Sequence, residues 1–214
     1  MGGSAGFGTG DVANKFTLTH VEANFSESAT SKFEDDIKGA IYGAHIGYNW
    51  QFGHIIAGLE AAVNGSDIKG STDILGGEET IKTELNWYAT AVARLGYAEG
   101  NWLFYGFGGI AWGNVDTKLF DGAAFGGELI GSGGTDHMGW TAGLGIEHAF
   151  NDHFAIRVEY WHVALGEKSA SLGTLTNNGG FTSFDNSVDL EFDAIKIGAS
   201  YKLFSGDRDI EPLK

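Results

Sequence analysis

Seven charged residues stand out because each falls opposite the apolar phase of an alternating stretch: Glu60, Arg94, Glu147, Arg157, Glu159, Lys196 and Lys202. Both signs are represented, so the set can neutralise itself wherever a fold gathers it. Charges on an enclosed face must be paired, which makes a structural salt-bridge network the expected chemistry. The alternative is a gated ion or proton path. Other constellations are thinner. His162 with Ser169 and Glu167 supplies the parts of a hydrolase triad, but geometry defines such a set and these residue types are commonplace near one another. No catalytic residue is expected. The seven histidines lack metal-ligand spacing, so neither a metal site nor a cofactor is expected. His45 and His137 are the residues a haem would use, and no apolar slot for one is legible.

The elements that must position these charges are clearest between Gly139 and Tyr160. Trp140, Ala142, Leu144 and Ile146 take one face, and Gly139, Thr141, Gly143, Gly145 and Glu147 the other. Asn151-Asp152-His153 makes a tight turn, because Asn and Asp tolerate left-handed backbone and bond to their own main chain. Alternation then resumes with Phe154, Ile156, Val158 and Tyr160 against Arg157 and Glu159. Period two means a hairpin with one greasy face and one of glycine and charge. Apolar outward and polar inward is the arrangement of a closed barrel in lipid.

Composition is compatible with this. The chain has 214 residues, 35 glycines, one proline and no cysteine. No disulfide framework, thiolate metal site or cysteine nucleophile is therefore available. A formal charge of −15 argues against nucleic acid and anionic membrane surfaces as partners. No run approaches the ~20 apolar residues of a membrane helix. The opening MGGSAGFGTG is small and flexible rather than a signal segment, so an exported form would be mature or re-initiated.

In order, residues 1–14 read as a flexible N-terminal segment, 15–204 as the barrel and 205–214 as a charged periplasmic tail. A strand begins at Phe16 and Leu18, and its apolar phase slips to Val21, Ala23 and Phe25, which predicts a bulge. Alternating strands follow over Ala40–Gln51 and from Ile55 to Asn64. The next run, Leu85 to Tyr97, alternates as well; Leu103–Gly113 is apolar on both faces and has no assignable phase. Tight turns fall at Phe52-Gly53, Glu99-Gly100 and Asn151. Long polar loops are expected at Ser26–Ile37, from Gly65 to Thr80, at Asn114–Asp136 and at Leu165–Ser187. Short turns at one end, long loops at the other and an even strand number predict an all-β, eight-stranded antiparallel transmembrane β-barrel of up-and-down topology in a bacterial outer membrane.

Aromatic residues give a second test. Tyr48, Trp50, Tyr97, Phe150, Phe154 and Tyr201 fall near the short turns, and Trp87, Trp140 and Tyr160 nearer the long loops, as two interfacial belts would. The loops carry apolar residues, notably Phe120, Phe125, Phe181 and Phe184, which are expected to pack together or on a protein partner or second copy. Acidic positions such as Glu34, Asp35, Asp36, Glu78, Glu79 and Asp121 are a solvated face. They also offer carboxylate oxygens for Ca²⁺ or Mg²⁺ bridging to lipopolysaccharide.

Four stretches, YGAHIGYNWQFGHIIAGLEAAVNGS, WYATAVARLGY, HMGWTAGLGIEHAFNDHFAIRVEYWHVALG and DAIKIGASYKLF, resemble a family of small outer-membrane β-barrels. The family is typical of alphaproteobacterial surface antigens and includes proteins described as haemin-binding. The resemblance covers most of Ile41 to Phe204. It implies an OmpA-like barrel with a structural or interaction role in envelope integrity, adhesion or assembly, with haemin binding or a narrow channel as alternatives, and it transfers no catalytic motif. Two departures are that ten residues follow Phe204, where family members commonly end, and that the strand carrying Lys15, His20 and Glu22 matches poorly.

Overall fold

The structure, a computed structural model, describes residues 1–22, 25–74, 79–121, 128–177 and 180–203. They form strands throughout: β1 (Gly2–Glu22), β2 (Phe25–Phe52), β3 (Ile55–Ile74), β4 (Glu79–Glu99), β5 (Trp102–Asp121), β6 (Leu129–Ala149), β7 (Phe154–Ala164), β8 (Lys168–Asn177) and β9 (Gly180–Tyr201). β1 to β7 pair antiparallel in sequence order, β9 pairs with both β7 and β8, and β1 also pairs with β9, which closes the sheet into a barrel. The ring has eight positions because β7 and β8 share one. β7 pairs with the lower part of β9 and β8 with the upper part, across a break at Leu165–Glu167 where Gly166 takes φ +40°.

The short turns form as their residue types dictate. Gly53 and Gly100 adopt φ +62° and +58°, a region that only glycine enters cheaply. At the third turn the Asn151 Oδ1 accepts hydrogen bonds from the backbone N–H of His153 (2.9 Å) and Phe154 (2.8 Å).

Two expectations are corrected. Residues 1–14 are no loose segment: β1 starts at Gly2 and keeps one uninterrupted register with β9, so the barrel closes through them and no bulge interrupts the strand. The four expected loops are strand for most of their length, and their limbs continue the sheet. A transmembrane strand needs ~9–11 residues, whereas β1 has 21, β2 28, β3 20 and β9 22. Their upper halves therefore extend beyond the hydrocarbon layer. The tail from residue 205 and Phe204 lie outside the described residues.

The chain changes its apolar face between the two halves. Near the short turns apolar side chains point outward: Tyr48, Leu59, Leu95, Leu144, Ile156 and Ile197 are all exposed. Farther along, they point inward: Val12, Ile37, Ile68, Leu85, Val115, Val188 and Leu190 are almost completely buried. In β4 the exchange is made by a register shift between Leu85 and Trp87, where odd-numbered residues change from outward to inward. For β5 the phase is now fixed: Leu103, Tyr105, Phe107 and Ala111 face in, and Trp102, Phe104, Ile110 and Trp112 face out.

This assignment makes a prediction. Leu144, 67% exposed and midway between Phe150 and Trp140 on its strand, lies near the bilayer midplane. Leu144→Arg should lower unfolding free energy in lipid by ~2–4 kcal/mol. Ser26→Arg, on the exposed upper part of β2, should stay within ~0.5 kcal/mol. Urea titration in lipid vesicles checks both, and equal tolerance would overturn the placement. Ser66 is no neutral control, since it is buried and its Oγ accepts from the Ile68 N–H at 3.1 Å.

Candidate functional site

Six of the seven expected charges meet inside the lower half of the barrel. Glu60 is the hub. Its Oε2 accepts from Arg157 Nη1 at 2.6 Å and Arg94 Nη1 at 2.8 Å, and its Oε1 from Arg157 Nη2 at 3.1 Å. The Arg157 contact is thus a two-pronged fork, the strongest form of guanidinium–carboxylate pairing. Arg157 Nε lies 3.4 Å from Glu159, and Arg94 Nη2 lies 3.8 Å from Glu147. Glu159 also accepts from the Tyr105 hydroxyl (2.6 Å) and the Trp161 indole N–H (3.1 Å). Lys196 Nζ donates to Asn64 Oδ1 at 2.8 Å and lies 4.6 Å from the Trp161 ring centre; Arg94 lies 4.2 Å from that of Tyr105. Three carboxylates balance three cations, all buried.

Strand register supplies this geometry. Glu147 stands opposite Arg157, and Glu159 opposite Lys196. An eight-stranded lumen is only wide enough to be filled by side chains, so large groups need empty positions beside them. Gly145 is such a position: a Cβ there would come within 2.4 Å of the Tyr105 ring. Buried Tyr88, Phe107, Trp161 and Phe192 lie on the upper side of the network, and buried Ile56, Leu103 and Ala155 on the side of the short turns. Higher still, Phe16, Ile81 and Leu119 form a second apolar layer with Leu18 and Phe33.

The remaining expectations distribute as follows. Lys202 does not join the network: it lies beyond the end of β9, half-buried, and its backbone N–H bonds to the His153 carbonyl at 2.8 Å. Tyr48, Trp50, Trp87, Tyr97, Trp140, Phe150, Phe154, Tyr160 and Tyr201 all face outward and are exposed. Phe120 sits under Lys82 on the outer wall, 4.5 Å from its Nζ, and Phe181 is exposed. Phe125 lies outside the described residues, as does the side chain of Phe184. The triad does not assemble. His162 Nδ1 is 2.9 Å from Asp193, which also accepts from Tyr160 at 2.7 Å, whereas Ser169 bonds to Ser187, as does Glu167.

Both candidate haem histidines are buried and hydrogen-bonded, although the Nδ1 of His45 has no partner among the described residues. The buried His137 has Nδ1 against the carbonyls of Leu165 and Gly166 and Nε2 against Thr135, and His45 Nε2 bonds to Ser200. Among the described residues no three His, Cys, Asp or Glu side chains converge as a metal site.

Sequence reasoning missed Tyr105, Trp161 and Asn64, which complete the network. For Tyr105 the cause is the unphased stretch Leu103–Gly113. Trp161 could have been found by its parity with Arg157 and Glu159, which carries it inward.

Comparison with known proteins places these features. The model of the family described as "Outer membrane protein beta-barrel domain" matches residues 2–202. The chain is 29% identical over 211 residues to the 31 kDa outer-membrane immunogenic protein of Brucella melitensis biotype 1, covering 94% of this chain and 81% of that one. It is 28% identical over 146 residues to the 22 kDa outer membrane protein of Rhizobium leguminosarum bv. viciae, covering 67% and 60%. Among solved structures, the outer membrane protein OprG from Pseudomonas aeruginosa aligns with a TM-score of 0.45 at 18% identity, covering 93% of this chain and 95% of that one.

The hub position of Glu60 yields a graded expectation. Glu60→Ala strips two buried guanidinium groups of their acceptor and should cost ~3–5 kcal/mol of stability. Glu147→Ala, which loses one contact of 3.8 Å, should cost clearly less. Equal losses in urea unfolding would show that Glu60 is not the hub.

Proposed function

We propose that this chain, which belongs to the family of outer membrane protein beta-barrel domains and resides in the outer membrane, is a closed barrel that works through its surface-exposed upper half. Its role is structural or interactive, in envelope integrity, adhesion or assembly, rather than catalytic or conductive. The observation that carries this reading is the filled lumen: a charge-balanced network lies between apolar layers, and Phe16, Ile81 and Leu119 occupy the top. A conducting path would need water along those layers, and burying ionisable groups costs least when they answer one another.

The upper half supports the second part of the reading. Strands about twice the length needed to cross lipid lift a rigid, hydrogen-bonded wall into the external medium. Rigid elements present contacts more precisely than tethered loops. The candidate triad gives no support to hydrolysis, because His162 is engaged with Asp193 and Ser169 with Ser187.

Planar-bilayer recording of the purified barrel should show no steady, porin-sized conductance. A stable open pore would overturn the closed-lumen reading. Deleting the upper β8–β9 hairpin (residues 168–188) should abolish surface-dependent adhesion or assembly, while the barrel keeps its heat-modifiable migration on gels. A truncated barrel that retains every such phenotype would place function elsewhere.

A further inference from the structure

The outer wall treats charge quite differently from the lumen. Three times, two lysines stand directly opposite each other on adjacent strands: Lys15 and Lys32, Lys38 and Lys69, Lys82 and Lys118. All six face outward. They are six of the 13 lysines and arginines in a chain of charge −15, so cations are scarce and yet are set against one another. Directly opposed residues have Cβ atoms ~4.5–5.5 Å apart, and like charges there are destabilising.

Two of the pairs join into one run. Lys69 is opposite Glu84, and Lys82 lies two residues from Glu84 on the same face, so Lys69 and Lys82 are diagonal neighbours at ~7–8 Å. Lys38, Lys69, Lys82 and Lys118 thus cross β2, β3, β4 and β5 in succession. Asp36, Asp67, Glu84 and Asp116 lie beside the run, but only Glu84 is ion-paired among the described residues, with Lys118 at 3.0 Å. That hydrogen bond holds the Glu84 carboxyl below the usual carboxylate range. Asp116 accepts from Asn86 instead, and Lys82 lies over Phe120. Lys38 and Lys69 end in no ion pair or hydrogen bond among the described residues.

Height decides what the run meets. A few residues nearer the short turns, the same strands carry Tyr42, Trp87 and Trp112 on the outer face, with the two indoles 5.8 Å apart. Such rings settle at the level of lipid head groups, so the ammonium groups reach the layer just outside the hydrocarbon. There the anions available in quantity are head-group phosphates. Lysine is a compact point charge suited to phosphate, and an anion held between two ammonium groups turns their repulsion into attraction.

We propose that the Lys38–Lys69–Lys82–Lys118 run binds the phosphates of an outer-leaflet glycolipid directly, an opposed lysine pair to each phosphate. This goes beyond the reading above and rests only on the outer-membrane location, so conductance or adhesion results do not decide it. It also differs from divalent-cation bridging, for which the described residues offer no converging ligand set.

The test uses the full chain in detergent micelles, with diphosphorylated lipid A, its dephosphorylated form and inorganic phosphate as probes, read by native mass spectrometry. The wild type should retain the diphosphorylated lipid several-fold better than the dephosphorylated one, and the preference should shrink as salt screens the charges. The double variant K38T/K69T should lose most of that preference. K168T, on the far side of the barrel, should keep it. Equal retention of both lipids by the wild type, or an unchanged preference in the double variant, would overturn the proposal. Complete displacement of the lipid by millimolar inorganic phosphate would overturn its assignment to a lipid. Urea unfolding supplies an independent sign: K38T should be more stable than wild type without lipid and less stable with the diphosphorylated form. No reversal would mean that the opposed lysines do not hold phosphate.

Discussion

The strands of this barrel pass from one solvent to another halfway along their length, and most of the interior follows from that change. Where the outer wall faces lipid, an apolar side chain gains little by turning inward, because hydrocarbon outside is as apolar as any core. Cohesion across the lumen there must come from directed interactions, and the Glu60–Arg94–Arg157 cluster with Tyr105 and Trp161 supplies them. Where the wall faces water, burial of apolar surface is again favourable. The interior accordingly becomes Val12, Ile37, Ile68, Leu85, Val115 and Leu190, an ordinary hydrophobic core.

A narrow lumen adds a packing rule to this rule of solvation. The large inward side chains cannot sit side by side, so the sheet alternates them with vacant positions. Phe107 lies where a Cβ on Gly143 would come within 2.3 Å of its ring, and Tyr105 stands in the same relation to Gly145. The high glycine content is therefore no mark of looseness. It is the complement of the rings and guanidinium groups that fill the barrel.

The same change of solvent explains what could and could not be read from the sequence. In the membrane halves of β2, β3, β4, β6, β7 and β9 the outward apolar phase runs unbroken, and the turns carry Gly53, Gly100 and Asn151. These strands, the hairpins and the inward set Glu60, Arg94, Glu147, Arg157, Glu159 and Lys196 were therefore legible, whereas the phase of β5 was not. Above the membrane the apolar phase inverts, sometimes through a shift such as that between Leu85 and Trp87. A pattern that fades and returns on the other face reads as loss of pattern, so Ser26–Ile37 and its counterparts looked like loops. β1 failed for a related reason: its lower half, Gly2 to Gly10, is built of small residues with a lone Phe7, and its register is imposed by β2 and β9 rather than by any periodicity of its own.

The two treatments of charge have one energetic logic. In the enclosed lumen an unanswered charge costs several kcal/mol, so each buried acid and base there has a polar or aromatic partner and the set sums to zero. On the hydrated wall an opposed pair of like charges costs only ~0.2–1 kcal/mol. A penalty that small can persist in a stable barrel. Glu84 relieves it in part through Lys118, but Lys38 and Lys69 have no ion pair among the described residues, although Asp36 and Asp67 lie beside them. Local rules broken without internal compensation are expected where a structure meets something outside itself. The lumen satisfies its own charges and asks for no ligand, whereas Lys38 and Lys69 are arranged as if their counter-charge arrives from the membrane.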